Sequence, residues 1–314
     1  MARGETVLGW LAQSGVELVR GDVLDLPSFA AAARACDVVF HTAAVVTTTS
    51  RRLIHPYDAF RIPNVDGTRN AIAAARQAGA RLLHLSSVAV YGSEARYASS
   101  ATGRPVDEET PFQPLPERAF YSRSKRESEA LVLEAHAKGE LWATAVRPSV
   151  IYGQRDRQFV PRIAKLLRLR VAPVVDGGVT TLAVVHAANV ADGAVRAATT
   201  EAAGGAAFNL ANDFDVTLAR FYRLAALGLS TRVHVVSLPR GVAARLLAVA
   251  KFVARRLGGA AMGMVSTSSI DFVSRNNPFS SDRARRILGW SPTVTPETGV
   301  PEAFRWWKEH HGAR

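Results

Sequence analysis

The 314 residues hold a single cysteine, Cys36. No disulfide can form within the chain, and metal sites of the multi-cysteine type are excluded. Lysine is nearly as scarce. Only five lysines stand among 39 basic residues, so the net charge of +12 is carried by arginines scattered through an alanine-rich sequence. A nucleic-acid groove needs its basic residues in a stripe with interleaved aromatics; none is present, so no nucleic-acid partner is expected. No apolar run reaches the roughly 18 residues needed to cross a bilayer, and the opening Met1-Ala2-Arg3-Gly4-Glu5-Thr6 has no apolar signal core. A reducing cytoplasm is the expected location. His41, His84 and His186 lie in or beside apolar runs without a partner at metal-site spacing, so no metal is expected. Internal repeats and low-complexity tracts are also missing.

The 48% hydrophobic content is enough for a sizeable core. Short apolar stretches at 16–20, 38–42, 81–86 and 142–147 read as strands, and helical patterns at 28–34, 65–78 and 121–138 fall between them. This alternation predicts an α/β protein with a parallel sheet. The stretch 93–120, broken by Pro105, Pro111, Pro114 and Pro116, is long enough to suggest a lid or binding surface. Beyond Gly153 the pattern becomes mostly helical. A late run at 282–290 turns through Gly289 and Pro292. Within 240–257, Arg245, Lys251, Arg255 and Arg256 share an arc of about 140° largely apart from Leu246, Leu247, Val249 and Val253. Two readings stay open for this basic amphipathic helix: ordinary packing on its own domain, or peripheral contact with a membrane or an apolar substrate.

The chemistry concentrates in Tyr121-Ser122-Arg123-Ser124-Lys125 and in the strand-like Leu82-Leu83-His84-Leu85-Ser86-Ser87. On a helix, Tyr121 and Lys125 share a face, so the ammonium is expected to favour phenolate and draw the tyrosine's pKa down from about 10. A serine at the end of a strand can hydrogen-bond the same substrate oxygen. Such a tyrosine can exchange a proton with a carbonyl or alcohol while hydride moves elsewhere.

With these residues in place the sequence resembles the extended short-chain dehydrogenase/reductases, the NAD-dependent epimerase/dehydratase group, and within them the 3β-hydroxysteroid dehydrogenase-like and dihydroflavonol reductase-like branch. The resemblance runs from about Val16 to Trp307. It implies a Rossmann-type doubly wound sheet, NAD or NADP as cofactor and a catalytic set of Ser87, Tyr121, Lys125 and Asn64. Tyr121 would act as acid or base. Lys125 would lower its pKa and hold the nicotinamide ribose, Ser87 would polarise the substrate oxygen, and Asn64, in Asn64-Val65-Asp66-Gly67-Thr68, would support a proton relay. The cofactor would also meet Asp22 and Val23 at an adenine-side turn, Thr42, Ala43 and Ala44 after Phe40-His41, Ser86 beside Ser87, and Pro148, Val150 and Ile151 in Arg147-Pro148-Ser149-Val150-Ile151-Tyr152-Gly153. On the residues alone, Asp22 also reads as a strand terminator, Asn64 as a helix cap, and Ala43 and Ala44 as tight packing.

One departure stands out. These proteins open with a strand and a G-x-x-G-x-x-G turn whose amides bind the pyrophosphate. Gly4, Gly9, Gly15 and Gly21 do not have that spacing. The expectation is a chain beginning just after the family's second strand, roughly 35 to 40 residues short, through a misassigned start codon or a truncated gene. Strand 38–42 would then have an unpaired edge, separated from 16–20. Reading the DNA upstream of Met1 tests the idea. The selector between NAD and NADP would lie in the missing part, although Arg3 stands close to it.

The domain reading is 1–170 dinucleotide-binding, with 182–212 returning to it, and 171–181 plus 213–314 binding substrate. The expected function is an NAD(P)-dependent oxidoreductase acting on a secondary alcohol or ketone of a bulky, sterol-like molecule. A homodimer is compatible with it. Two alternatives stand beside it: a nucleotide-sugar epimerase using the same Ser-Tyr-Lys set, and a non-catalytic remnant that holds no dinucleotide. The epimerase is less favoured because Pro148-Ser149 replaces its usual aromatic-Asn pair. A 4,6-dehydratase is disfavoured because Val88 and Ala89 follow Ser87.

Overall fold

Leucine, valine and alanine runs with little polar interruption build the central sheet. Its strands are β1 (Val38–His41), β2 (Arg81–Leu85), β3 (Ala143–Pro148) and β7 (Ala207–Leu210), adjacent in that order and all parallel. The computed structural model describes residues 11, 14–46, 56–92, 103–211, 213–239, 241–243, 245 and 277–311. Leu82, Leu83 and all of β3 are buried, as expected for strands covered on both faces. One cover is α1 (Leu26–Ala33), α2 (Gly67–Ala78) and α3 (Phe120–Ala137), which enclose Phe29, Val39, Ala71, Leu82 and Val132. The other is α5 (Ala187–Thr199) with α7 (Asp282–Leu288), packed over Leu83, Val146, Phe208 and Trp290. This is an α/β, Rossmann-like architecture.

The remaining described elements form a second apolar cluster around Tyr152, Phe221, Phe304 and Trp307. It contains β4 (Val150–Tyr152) paired with β6 (Val184–His186), and β5 (Val171–Val175) paired with β8 (His234–Leu238). Around them lie α4 (Phe159–Leu167), α6 (Leu218–Gly228) and α8 (Pro296–His311). Helices α6 and α8 touch at Gly228, where any Cβ would lie 2.3 Å from the Pro301 carbonyl oxygen, so only glycine permits this crossing.

Several expectations change. Residues 16–19 are not a strand, and Arg20 makes only an isolated bridge. A strand needs a ladder partner, and β1 is the last of the described strands in its sheet, with Phe40 42% exposed. The helix expected from 65 is preceded by a π-helical turn, Arg61–Asp66, and becomes α-helical only at Gly67. Pro63 lies in that turn and lacks the N–H that a regular helix would use. Residues 93–102, and most of the amphipathic stretch 240–257, lie outside the described residues; Gly241, Val242, Ala243 and Arg245 are helical. Among the described residues no helix is long and apolar enough to cross a membrane, and no group of three His, Cys, Asp or Glu side chains could hold a metal.

Candidate active site

The carboxyl ends of parallel strands are where open α/β sheets bind ligands, because the chain leaves each strand there and opens a crevice. Here β1 runs into Thr42, Ala43 and Ala44, β2 into Ser86 and Ser87, and β3 ends at Pro148. Ser87 is extended and starts a 3-10 turn, Val88–Tyr91, with its Oγ accepting from the Ala89 amide at 3.2 Å. Tyr121 lies in the first turn of α3, half-buried, with the Ser87 hydroxyl acting on its phenol. One helical turn on, Lys125 is 3% exposed and its Nζ donates to the Leu85 carbonyl at 2.6 Å. Strand and helix thus bring Ser87, Tyr121 and Lys125 together.

Their electrostatics differ from the sequence expectation. Burial raises the Tyr121 pKa, and the Ser87 hydroxyl only partly offsets it, so Tyr121 is a neutral phenol. The lowering expected from Lys125 is not seen, and the geometry gives the reason: the ammonium is turned to the Leu85 carbonyl. Burial also brings Lys125 itself down from 10.5 to about 8, with Glu129 pulling the other way.

Asn64 is buried in the π-helical turn. Its Oδ1 accepts from the Val45 amide at 2.7 Å, and its Nδ2 donates to the Val45 carbonyl at 3.0 Å and to Ser124 Oγ at 2.9 Å. It therefore ties the segment after β1 to α3. The π turn widens the backbone where Asn64 projects.

Beneath Lys125 two neutral imidazoles stack. His41 and His84 are register partners on β1 and β2, with ring centroids 5.5 Å apart. Burial first, and the Lys125 charge second, bring His41 down to about 4 and His84 well below its ordinary value. Hydrogen-bond accounting assigns their tautomers. The Thr68 hydroxyl donates to the Asn64 carbonyl at 2.6 Å, so the 3.0 Å contact to His41 requires Nε2–H as donor. Ser128 donates to the Lys125 carbonyl at 3.1 Å, which makes His84 Nε2–H the donor in their 3.2 Å contact. His84 Nδ1 is left with a buried lone pair, a smaller penalty than a buried N–H without an acceptor.

Two further groupings escaped the sequence reading. Arg147 does not face the crevice: its guanidinium makes a bidentate pair with Glu129 at 2.9 and 2.5 Å and donates to Tyr91 Oη at 2.7 Å. Burial opposes this charge, but Glu129 outweighs it and the Arg147 pKa rises. Tyr91 passes the chain on to Asn209 Oδ1 at 2.9 Å. Arg126 reaches the loop before α3. An arginine four residues before or after its partner on one helix would have been visible in sequence; these reach across 18 residues to Glu129 and 13 to Gln113.

The described residues fit one end of a nicotinamide dinucleotide. Ser86 Oγ is buried without a partner among the described residues, and Leu85 O is the acceptor found there for Lys125, leaving ammonium N–H groups for ribose hydroxyls. Asp22 and Val23 sit against α2: the Val23 carbonyl accepts from Asn70 Nδ2 at 2.9 Å, and Asp22 Oδ1 accepts from the Leu24 amide at 3.0 Å, a local turn. Val23 Cγ2 would lie 3.1 Å from a Cβ on Gly67, so glycine admits this contact. Val150 and Ile151 lie on β4, outside the main sheet. For the pyrophosphate, the sequence supplies no G-x-x-G-x-x-G turn.

Comparison with known proteins agrees with this geometry. Residues 1–211 match the NAD dependent epimerase/dehydratase family. A 4-hydroxy-2-methyl-3-oxo-4-farnesyl-3,4-dihydroquinoline-1-oxide ketoreductase of Stigmatella aurantiaca is 32% identical over 84% of this chain and 75% of its own. A decarboxylating sterol-4-alpha-carboxylate 3-dehydrogenase of Dictyostelium discoideum is 25% identical over 96% and 90%. In fold, the chain is similar to the UDP-glucuronic acid 4-epimerase of Bacillus cereus in complex with NAD, with a TM-score of 0.68 at 17% identity over 97% and 86% of the two chains. With the family model matching two thirds of its length, the chain belongs to the NAD dependent epimerase/dehydratase family.

Proposed function

We propose that this protein is an NAD(P)-dependent oxidoreductase that interconverts a secondary alcohol and a ketone on a bulky apolar molecule. The observation carrying the reading is the meeting of Ser87 and Tyr121 beside a buried, incompletely bonded Lys125. Ser86 and Lys125 would hold the ribose of a nicotinamide cofactor, which when bound would supply or accept the hydride. The neutral Tyr121 phenol is in the form that gives its proton to a ketone oxygen during reduction. Ser87 Oγ–H donates to the same oxygen and keeps it beside the phenol. Turned from the Leu85 carbonyl toward Tyr121, the Lys125 ammonium would limit the cost of phenolate as the proton leaves. Asn64 holds Ser124, and with it the turn between Tyr121 and Lys125, against the segment after β1.

In this reading Ser86 and Lys125 hold the nicotinamide ribose, Thr42, Ala43, Ala44, Pro148, Val150 and Ile151 flank the dinucleotide, and Asp22 and Val23 take its adenine side. The sheet region binds cofactor, and the region around Tyr152, Phe221 and Phe304 binds substrate. The bulky apolar substrate class follows the names of the ketoreductase and sterol dehydrogenase relatives. Pro148-Ser149 weighs against the sugar epimerase.

The test is titration of the purified chain with NADH and NADPH by fluorescence, followed by turnover with a sterol 3-ketone, a prenylated cyclic ketone and UDP-sugars. Binding of a reduced cofactor and oxidation of it by an apolar ketone are expected. UDP-sugar epimerisation without ketone reduction would replace this reading by the epimerase, and absence of binding of either cofactor would overturn both.

A further inference from the structure

Arg126 follows Lys125 in α3, and the proton-transfer chemistry has no use for it. A half-exposed arginine on a helix ordinarily points to water or to an acid one turn away. This one donates from Nε and Nη2 to the Val90 carbonyl at 3.0 and 2.5 Å, and from Nη2 to the Gln113 carbonyl at 2.9 Å. Both acceptors are backbone oxygens outside α3. Val90 belongs to the 3-10 turn that begins at Ser87; Gln113 belongs to the proline-rich loop that runs directly into Tyr121.

Three other observations converge on the same place. The Gln113 amide donates to the Tyr91 carbonyl at 3.0 Å, closing loop onto turn. Gly92 has φ +86°, and a Cβ there would lie 3.3 Å from the Gln113 carbonyl oxygen, so the turn is shaped for this approach. The Phe112 ring, 38% exposed, lies under two guanidinium groups, Arg126 at 4.8 Å and Arg147 at 5.2 Å, and edge-on to Tyr91 at 5.7 Å. Loop, serine turn and catalytic helix thus meet at one planar cation. A fork of N–H donors can bridge two carbonyls on separate segments while its face covers an aromatic ring; an ammonium supplies one point charge.

We propose that Arg126 is a positioning residue that clamps the loop 111–115 and the turn 88–92 to the catalytic helix, making them the substrate-side wall beside Ser87 and Tyr121 and restricting which apolar ketones reach the phenol. This rests on the oxidoreductase reading for its consequence in specificity, and on the hydrogen bonds of Arg126 alone for the clamp. Arg126 touches neither Tyr121 nor Ser87 in the described contacts, so its loss should act on how substrate is held more than on proton transfer.

The experiment compares Arg126→Met, Arg126→Lys, Phe112→Ala and the Arg126→Met/Phe112→Ala double variant with the parent chain. Trypsin cleavage after exposed Arg118, followed by mass spectrometry, reads the clamp without any turnover. It should quicken roughly threefold or more in Arg126→Met, because cleavage follows the population of the opened loop. In turnover, KM for a sterol 3-ketone should rise about tenfold in Arg126→Met, with a smaller change in kcat and little change for cyclohexanone. Arg126→Lys should fall between Met and parent. Phe112→Ala should shift both readouts in the same direction, and the double variant should be less than additive. Unchanged cleavage at Arg118, or strictly additive effects, would overturn the clamp. Faster cleavage with an equal loss on both ketones would overturn its role in specificity. If no ketone is turned over by the parent chain, the oxidoreductase reading fails, and the cleavage arm still decides whether the clamp exists.

Discussion

Two buried cations meet at α3, Lys125 from the helix itself and Arg147 from β3 through its pair with Glu129 one turn after the lysine, and the protein treats them in opposite ways. At the crevice, Lys125 has one hydrogen bond to a backbone carbonyl, an unpartnered Ser86 hydroxyl nearby and a pKa lowered by burial. On the sheet side, Arg147 is bonded by both Glu129 oxygens and by Tyr91, and its pKa rises. A saturated buried charge holds segments in register; an unsaturated one is a strained group kept for a ligand or a reaction. The contrast separates scaffold from site more clearly than burial does, since both side chains are almost wholly enclosed.

Exchanging the roles of the two regions gives the largest expected effects. Tyr121→Phe and Lys125→Met should each reduce kcat/KM by about 10² to 10⁴, the range of positioned acid–base catalysis, as measured by cofactor oxidation with the preferred ketone. Lys125→Met should nevertheless fold as well as the parent, because it removes a charge that burial penalises. Glu129→Ala should do the reverse damage. It strands Arg147 in the interior and should cost about 3–5 kcal/mol in urea unfolding. A Lys125→Met variant less stable than Glu129→Ala would erase the distinction.

The pH dependence of stability sharpens the comparison. With a folded pKa of about 8 against 10.5, the Lys125 contribution is fully present above 10.5 and is lost as pH falls through 8. Between those values the unfolded chain binds more protons, so stability should rise with pH, by about 3 kcal/mol in all. Lys125→Met should flatten that rise; Arg147 cannot contribute to it. A smaller effect is expected at His41, whose contribution is present above 6.5 and is lost as pH falls through about 4. His41→Gln should soften the acid limb of the same curve, where many carboxylates also titrate.

Much of this site was legible in the sequence because it depends on short-range spacing. Tyr121 and Lys125 are one helical turn apart, and Ser87 ends an apolar strand, so helix and strand periodicities place them without knowledge of the fold. The expected strand at 16–20 failed because a strand exists through its neighbour, and residue pattern does not supply the neighbour. The π turn at Asn64 was hidden since the sequence reads as an ordinary helix start. Nor could the direction of the Tyr121 shift be read: it depends on where the Lys125 ammonium turns and how deeply the phenol is buried. Arg126 and Arg147 remained anonymous among scattered arginines because their partners are distant in the chain or are backbone oxygens.

The stacked histidines give the crevice an internal spectroscopic gauge. Both rings are neutral Nε2–H tautomers held in fixed hydrogen bonds, one on each of two adjacent strands, and both feel the Lys125 charge. Neither ring changes protonation near pH 8, so a shift of their imidazole nitrogen resonances there records the lysine losing its proton. Isotope labelling of eight histidines therefore makes the state of a side chain that is itself hard to observe readable from beneath.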